Sequence, residues 1–284
     1  MKLLSFLQNG QPGYGALRGD RIVDLGRHFG ARAPTLRALL AAGLLDEAAG
    51  ALAQIKDDIA LDSVTLAPVI PDPGKIVCVG LNYRDHLAET GRTQTEKPVL
   101  FPRWPASQVG HGGNIVRPSV SERLDFEGEM AVIIGKGGRH IAAENALAHV
   151  AGYSCYNDGS VRDWQQHTSQ FLPGKTFAST GGFGPWMVTT DEIPDPTVLT
   201  LRTRLNGETV QQTTTDLMIT DIPTLIAYFS TIIPLEAGDV LVTGTPGGVG
   251  AKRNPPLWMK PGDTVEVEIS QIGILRNGIA DEVL

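Results

Sequence analysis

The stretch "LDFEGEMAVIIG", residues 124–135, sets how the rest of the chain is read. Taken as a β-strand, it sends successive side chains to opposite faces. Leu124, Phe126 and Met130 point one way. Asp125, Glu127 and Glu129 point the other, directly before an apolar run. Side chains on one strand face are about 6.6 Å apart, so two acids can converge on one ion, whereas the outer pair, about 13 Å apart, cannot. Either Asp125 with Glu127 or Glu127 with Glu129 makes such a pair. Glu129 adjoins "MAVIIG" and is the acid expected to be buried. A buried carboxylate needs a cation, a hydrogen-bond network or a proton. The plainer alternative is an edge strand with a solvated acidic face.

A third hard ligand lies in "CYNDGSVRDWQQ", residues 155–166. Asp158 ends a strand-like run and precedes a glycine. Glu127, Glu129 and Asp158 form an all-oxygen set, which suits Mg²⁺, Mn²⁺ or Ca²⁺ better than Zn²⁺ or Cu²⁺. The other chemistry-bearing candidates are spread along the chain. In "GLNYRDHLAETG" (80–91), His86 and Glu89 are three residues apart on a short helix, where a carboxylate fixes the imidazole tautomer for general-base work. A surface His–Glu pair is the plainer meaning of that spacing. Arg162 and Gln165 follow Asp158 by four and seven residues. Lys175 sits in the Gly/Pro-rich loop "LPGKTFASTGGFGPW". "VTGTPGGVG" (242–250) is a strand running into a glycine-rich turn. Its backbone N–H groups and the Thr245 hydroxyl can hold an anion. No Lys-Ser/Thr follows the glycines, so it is not a phosphate-binding P-loop.

Around these motifs the chain has ordinary globular composition: 284 residues, 42% hydrophobic, 19% charged. A net charge of −7 argues against nucleic-acid and anionic-membrane partners. No apolar run approaches the roughly 18 residues of a membrane span. The first residues turn polar too soon for a signal peptide. Cys78 and Cys155 read as buried free thiols, so a cytoplasmic location is expected. "KLLSFL" and "RIVDL" read as two short strands, followed by helical character through "TLRALLAAGLL" and "DEAAGALAQIKDD". The proline-rich "APVIPDPGK" reads as a linker. It divides a small N-terminal domain, residues 1–70, from a catalytic domain, residues 71–284. Beyond it strands dominate: "KIVCVG", "PVLF", "EMAVIIG", "VLTLRTRL", "DVLVTG" and "TVEVEI", with a hairpin at Asn206-Gly207. Helices are expected at "YRDHLAETG", "ENALAHVAG" and "IPTLIAYFST". The fold class is α+β, mainly β.

In this order, "GLNYRDHLAE", "LDFEGEMAVIIGK", "NDGSVRDWQ", "GKTFASTGGFGPWMVT", "VTGTPGGVG" and "PGDTVEVEI" resemble the fumarylacetoacetate hydrolase family over about residues 70–284. The resemblance implies a mixed β-roll or sandwich with a small N-terminal domain, usually as a homodimer. It implies Mg²⁺ or Mn²⁺ on Glu127, Glu129 and Asp158, and a His86–Glu89 lid dyad. Arg162, Gln165, Lys175 and Thr245 would bind substrate, with Lys175 also catalytic. The family's substrates are small keto acids with a pyruvyl-like end. The leading expectation is hydrolysis of a C–C bond in a 2,4-dioxo acid. Oxaloacetate decarboxylation or tautomerisation and hydroxymuconate-type isomerisation are the alternatives, and a non-catalytic small-molecule-binding homodimer is the alternative from another class. Two departures stand out. "FPRWPASQVGHGG" has Arg103 and Trp104 where many members carry a Lys and paired Ser, and Gly159 stands where a Val is common.

Overall fold

The acidic stretch does not form one strand. The computed structural model describes residues 1–56 and 58–283. In it Leu124–Asp125 pairs antiparallel with Ser160–Val161, while Gly128–Ile134 enters the middle of a large sheet. Residues 126 and 127 are the break between the two. The break is held locally: Asp125 accepts from the Phe126 N–H (2.9 Å), and Asn157 accepts from the Glu127 N–H (2.9 Å). Gly128 restarts the strand where a Cβ would lie 1.9 Å from the Thr203 hydroxyl oxygen, so only glycine fits.

Every residue of Gly128–Ile134 is buried. Its alternation divides apolar side chains between two cores rather than between core and water. Ala131 and Ile133 face a cluster with Cys78, Phe101, Tyr156 and Phe183. Met130, Val132 and Ile134 face another with Tyr153, Leu201, Ile226 and Leu241. The protein is mostly β with a minority of helix, as the strand-rich pattern predicts.

Among the described residues the large sheet runs, in spatial order, Asp58–Ala60, Arg21–Asp24, Gln11–Arg18, Lys2–Gln8, Gly181–Thr189, Val150–Asp158, Gly128–Ile134, Val240–Val242, Ile76–Gly80 and Val99–Arg103. A second sheet contains Glu208–Thr214, Thr200–Leu205, Thr264–Ile269, Gly273–Asp281 and Asn114–Arg117. Its Asn206-Gly207 hairpin has φ of 53° and 83° at the turn, as that residue pair predicts.

Two local expectations change near the N-terminus. The glycine-rich link between "KLLSFL" and "RIVDL" is itself a strand, Gln11–Arg18. Gly13 and Gly15 look like loop residues in sequence, but they make room for neighbours: a Cβ would meet the Phe6 ring at 2.6 Å and the Val23 carbonyl at 2.2 Å. The helical stretch is broken at Gly43 (φ 66°) into Leu36–Ala41 and Leu45–Ala51. The expected helical continuation crosses residue 57, which lies outside the described residues; Asp58 already begins a strand. Residues 1–70 join the sheet of the remaining chain through Lys2↔Val188 and Leu3↔Met187. Of the three later helices, Arg84–Thr90 and Ile222–Ile232 form as expected. "ENALAHVAG" instead gives a tight 3₁₀ segment, Ala143–His149, and then a strand.

The strand directions fix one busy end of the central sheet. Gly128–Ile134 begins there, and its antiparallel neighbours Val150–Asp158 and Val240–Val242 finish there. Ile76–Gly80 runs parallel to Val240–Val242 and finishes there too. Glu129, Asp158, the glycine-rich loop and the helix carrying His86 are thereby brought to one place.

Candidate active site

At that end, ligand oxygens of Glu127, Glu129 and Asp158 lie within 4.8 Å of one another, all buried. Glu127 accepts Arg162 Nη1 at 2.7 Å on one oxygen and Lys175 Nζ at 2.5 Å on the other. Lys175 also reaches Asp158 at 2.6 Å. Arg103 donates to the far oxygen of Asp158, to the Gly159 carbonyl (3.0 Å) and to Thr180 (2.8 Å). Glu129 accepts the Gly244 backbone N–H at 2.5 Å. Among the described residues it forms no ion pair of its own.

Electrostatics separate these acids. Burial alone pushes Glu127 up, but Lys175 and Arg162 overrule it and hold the carboxyl well below its usual range. Burial also pushes Glu129 up, and the neighbouring Asp158 and Glu127 push it further, so it binds its proton far more tightly than a free glutamate. Lys175 would lose its charge to burial, yet Asp158 and Glu127 raise it. With all four ionised, Asp125, Glu127, Glu129 and Asp158 would exceed Arg103, Arg162 and Lys175 by one negative charge, which a proton on Glu129 or a bound cation must balance. An all-oxygen set with an excess negative charge, centred on the acid that lacks a cationic partner, fits a hard divalent cation.

The same cavity, about 120 Å³, is lined by Glu127, Glu129, His86, Arg162, Gln165, Lys175 and Thr245. Glu89 and Asp158 stand behind it as partners of His86 and Lys175. His86 Nδ1 is 2.7 Å from Glu89. Burial raises Glu89, but the His86 hydrogen bond and the Gly248 N–H hold it low. A carboxylate kept ionised accepts only, so His86 Nδ1 carries the proton and Nε2 is left free to accept one. Gln165 accepts from Arg162 Nη1 at 3.0 Å. Arg162 Nη2 is buried with no protein partner among the described residues, so one donor is available to a ligand. Thr245 donates to the Gly128 carbonyl at 3.0 Å and accepts from Gln211 at 2.8 Å.

The glycine-rich loop works differently from the sequence expectation. Its N–H groups are taken by the protein's own carboxylates: Gly244 by Glu129, Gly248 by Glu89 (2.9 Å), Gly250 and Ala251 by Asp125 (2.8 and 2.9 Å). No side chain at positions 244, 248 or 250 could have signalled this, because the contacts are made by backbone.

Three contributors were not singled out as site residues from sequence. Asp125 is fully buried and also accepts from Arg162 Nε at 2.8 Å. Arg103 backs Asp158. Gln211 reaches in from the second sheet, accepting from Gly128 N–H (2.9 Å) while donating to Thr245. Arg103 carried a usable signal: a lone charge beside the apolar "PVLFP" needs a buried acid.

With this geometry in view, the match of residues 75–280 to the fumarylacetoacetate (FAA) hydrolase C-terminal model is decisive. The chain belongs to the fumarylacetoacetate hydrolase family. It is 40% identical over 264 residues to oxaloacetate tautomerase Fahd2a, mitochondrial, of Rattus norvegicus, covering 92% of this chain and 84% of that protein. Its fold matches a putative HpcE protein from Mycobacterium smegmatis (TM-score 0.90, 34% identity, 100% of both chains). It also matches maleylpyruvate hydrolase from Sphingobium sp. SYK-6, solved in complex with manganese(II) ion and pyruvate (TM-score 0.83, 28% identity, 100% of both chains). Enzymes of this family act as tautomerases, hydrolases and isomerases, and this chain is one of that family's enzyme folds with an intact acidic triad. No helix among the described residues is long and apolar enough to cross a membrane.

Proposed function

We propose that the protein hydrolyses a C–C bond in a 2,4-dioxo acid with Mg²⁺ or Mn²⁺ held by Glu127, Glu129 and Asp158. The observation that carries the reading is one cavity lined by Glu127, Glu129, Lys175, His86 and the spare Arg162 donor, with Asp158 and Glu89 behind it as partners of Lys175 and His86. The bound cation would supply a Lewis acid for the 2-oxo acid end of the substrate. Arg162 Nη2 and Gln165 orient the substrate carboxylate. Thr245, fixed by Gln211, lines the wall beside them. Lys175, kept charged by two carboxylates, places a positive charge where the enolate oxygen develops. His86 Nε2 takes a proton from water, which attacks the distal carbonyl; the C3–C4 bond then breaks, its electron pair passes into the pyruvate enolate, and the imidazolium, stabilised by Glu89, returns its proton to the enolate carbon.

The relatives named oxaloacetate tautomerase favour a second reading on the same residues. There His86 would move a proton at the carbon between the two carboxyl-bearing ends, with water kept out. A panel of acylpyruvates, fumarylpyruvate and oxaloacetate, assayed with Mg²⁺ and with Mn²⁺, decides between them. Metal-dependent loss of 2,4-dioxo acid absorbance with release of pyruvate supports hydrolysis. Enol–keto interconversion of oxaloacetate without dioxo acid cleavage supports the second reading. No turnover with metal bound would leave a small-molecule binder.

The proposal includes a homodimer and a reducing compartment such as the cytoplasm. The dimer is supported by an apolar groove beside the edge strand Val99–Arg103, where Trp104 and Ile233 are exposed. Sedimentation in solution tests it. The compartment is supported by two buried free thiols, Cys78 and Cys155, while the rat relative is named mitochondrial. Imaging of the tagged full chain in its own cell tests it.

A further inference from the structure

The geometry points to Asn82 as a positioning residue for the reaction. Its side chain pins the helix that carries His86 and Glu89 to the glycine-rich loop that bonds Glu129, and so sets where His86 stands relative to the metal ligands. The inference rests on the proposed role of His86 as the base. It names what holds that base in register, a residue that does not itself line the cavity.

The turn before that helix needs an outside restraint. Strand Ile76–Gly80 ends, and Leu81 then adopts φ 58°. This left-handed conformation is unfavourable for a leucine and persists where the surroundings over-determine it. Leu81 also lines the catalytic cavity. Tyr83, at the start of helix Arg84–Thr90, gives the helix no side-chain cap. Asn82 lies between the two and supplies the restraint. It is buried, and both amide hydrogens and the amide oxygen are engaged. Nδ2 donates to the Thr243 carbonyl (2.8 Å) and to the Thr220 carbonyl (3.0 Å). Oδ1 accepts the Thr220 N–H (2.8 Å), and the Asn82 backbone carbonyl accepts the Ile219 N–H (2.7 Å).

The bond to Thr243 is the one that reaches the site. Thr243 gives its own N–H and hydroxyl to the Met130 carbonyl (3.0 and 3.1 Å), one residue past Glu129. Next comes Gly244, whose N–H binds Glu129. Gly244 has φ 103°, and a Cβ there would meet the Asn82 Cβ at 2.7 Å, so the loop and the asparagine lie in contact. The helix is tied to the same loop a second time, where Glu89 accepts the Gly248 N–H (2.9 Å) while holding the His86 ring. One attachment precedes His86 in the chain and the other follows it. Together they fix the base against the segment that touches Glu129. A misplacement of about 1 Å in such a group costs roughly a hundredfold in rate.

The test is a double-mutant cycle with His86→Ala, measured with Mg²⁺ on the best substrate of the acylpyruvate, fumarylpyruvate and oxaloacetate panel. Asn82→Asp keeps the size of the side chain but loses both donors and turns an oxygen toward two carbonyls. Asn82→Ser is the second, smaller variant. Each is expected to lower kcat about a hundredfold, with KM and Mg²⁺ affinity within about threefold of wild type. Combined with His86→Ala, either should lower kcat less than about threefold further, because both act through one imidazole. Unchanged kcat in both variants overturns the inference and leaves the proposed function standing. So does full multiplication of the two effects in the double variant. Failure of both variants to fold also overturns it, since Asn82 would then be structural alone. No turnover across the panel, or full activity in His86→Ala by itself, overturns the role of the base and this inference with it.

Discussion

Asp125 and Glu129 stand four residues apart in the same acidic stretch, and both are buried, yet the protein treats them in opposite ways. Asp125 receives four donors: the N–H groups of Phe126, Gly250 and Ala251, and Arg162 Nε. Its charge is answered on every side. Glu129 receives the Gly244 N–H and is pushed toward its protonated form by burial and by Asp158 and Glu127. A closed acid of the first kind builds structure. An acid left short of partners keeps capacity for something that is not protein.

The contrast is sharpest at Glu129 itself. Glu129→Gln should lower metal-dependent kcat/KM by about a thousandfold or more, the scale of a lost cation-binding ligand. The same change should raise the melting temperature of the metal-free protein, because a neutral isostere spares the cost of neutralising a buried carboxylate on folding; the gain is on the order of 1–3 kcal/mol near neutral pH. Calorimetry with and without chelator reads both. A metal-free variant that is less stable than wild type would break the contrast.

His86→Ala should cost about a hundredfold to ten-thousandfold in hydrolysis while leaving metal binding intact. Full hydrolytic activity in that variant would remove His86 from the chemistry. Asp125→Asn should act in the other direction from Glu129→Gln. An amide nitrogen in place of Oδ2 strands Arg162 Nε and the Ala251 N–H, and should lower unfolding free energy by about 3 kcal/mol, read from denaturant melts.

The pH dependence follows from the sign of the Glu129 shift. Its folded, metal-free pKa lies above the unfolded value of about 4.3. The stabilisation it gives is therefore full below that pH and is lost as pH rises through the folded value. Metal binding must expel the proton, so affinity for Mg²⁺ should rise with pH, by up to about tenfold per unit. Titration calorimetry in buffers of different ionisation heat should detect the released proton. Affinity that ignores pH would contradict the protonated state. The smallest effect is expected at the dyad's second member: Glu89→Gln should cost about tenfold in kcat, since it supports His86 without touching the reacting atoms.

Much of this was legible in the sequence, for reasons that can be named. Strand alternation and the hairpin pair Asn206-Gly207 report local backbone preference. The spacing of Glu127 and Glu129 survives the break at residues 126 and 127, because Gly128 returns the chain to strand geometry between them. What stayed hidden depends on approach between distant segments. The strand Gln11–Arg18 looks like a loop until Phe6 and Val23 are seen lying against Gly13 and Gly15. Spacing leaves Asp125 as one possible partner of Glu127, and only the turn at residues 250–251, far along the chain, shows what it binds. Arg103 registered as a departure from its relatives, but its role needed Asp158 in place.

The glycine-rich loop has one further use. Gly244, Gly248 and Gly250 each donate their amide proton to a different carboxylate: Glu129, Glu89 and Asp125. In a ¹⁵N-labelled sample those three resonances form a built-in set of meters, one for the metal-binding acid, one for the lid dyad and one for the closed acid. A cation added to the protein should move the Gly244 signal most, a substrate analogue the Gly248 signal, and neither should disturb Gly250.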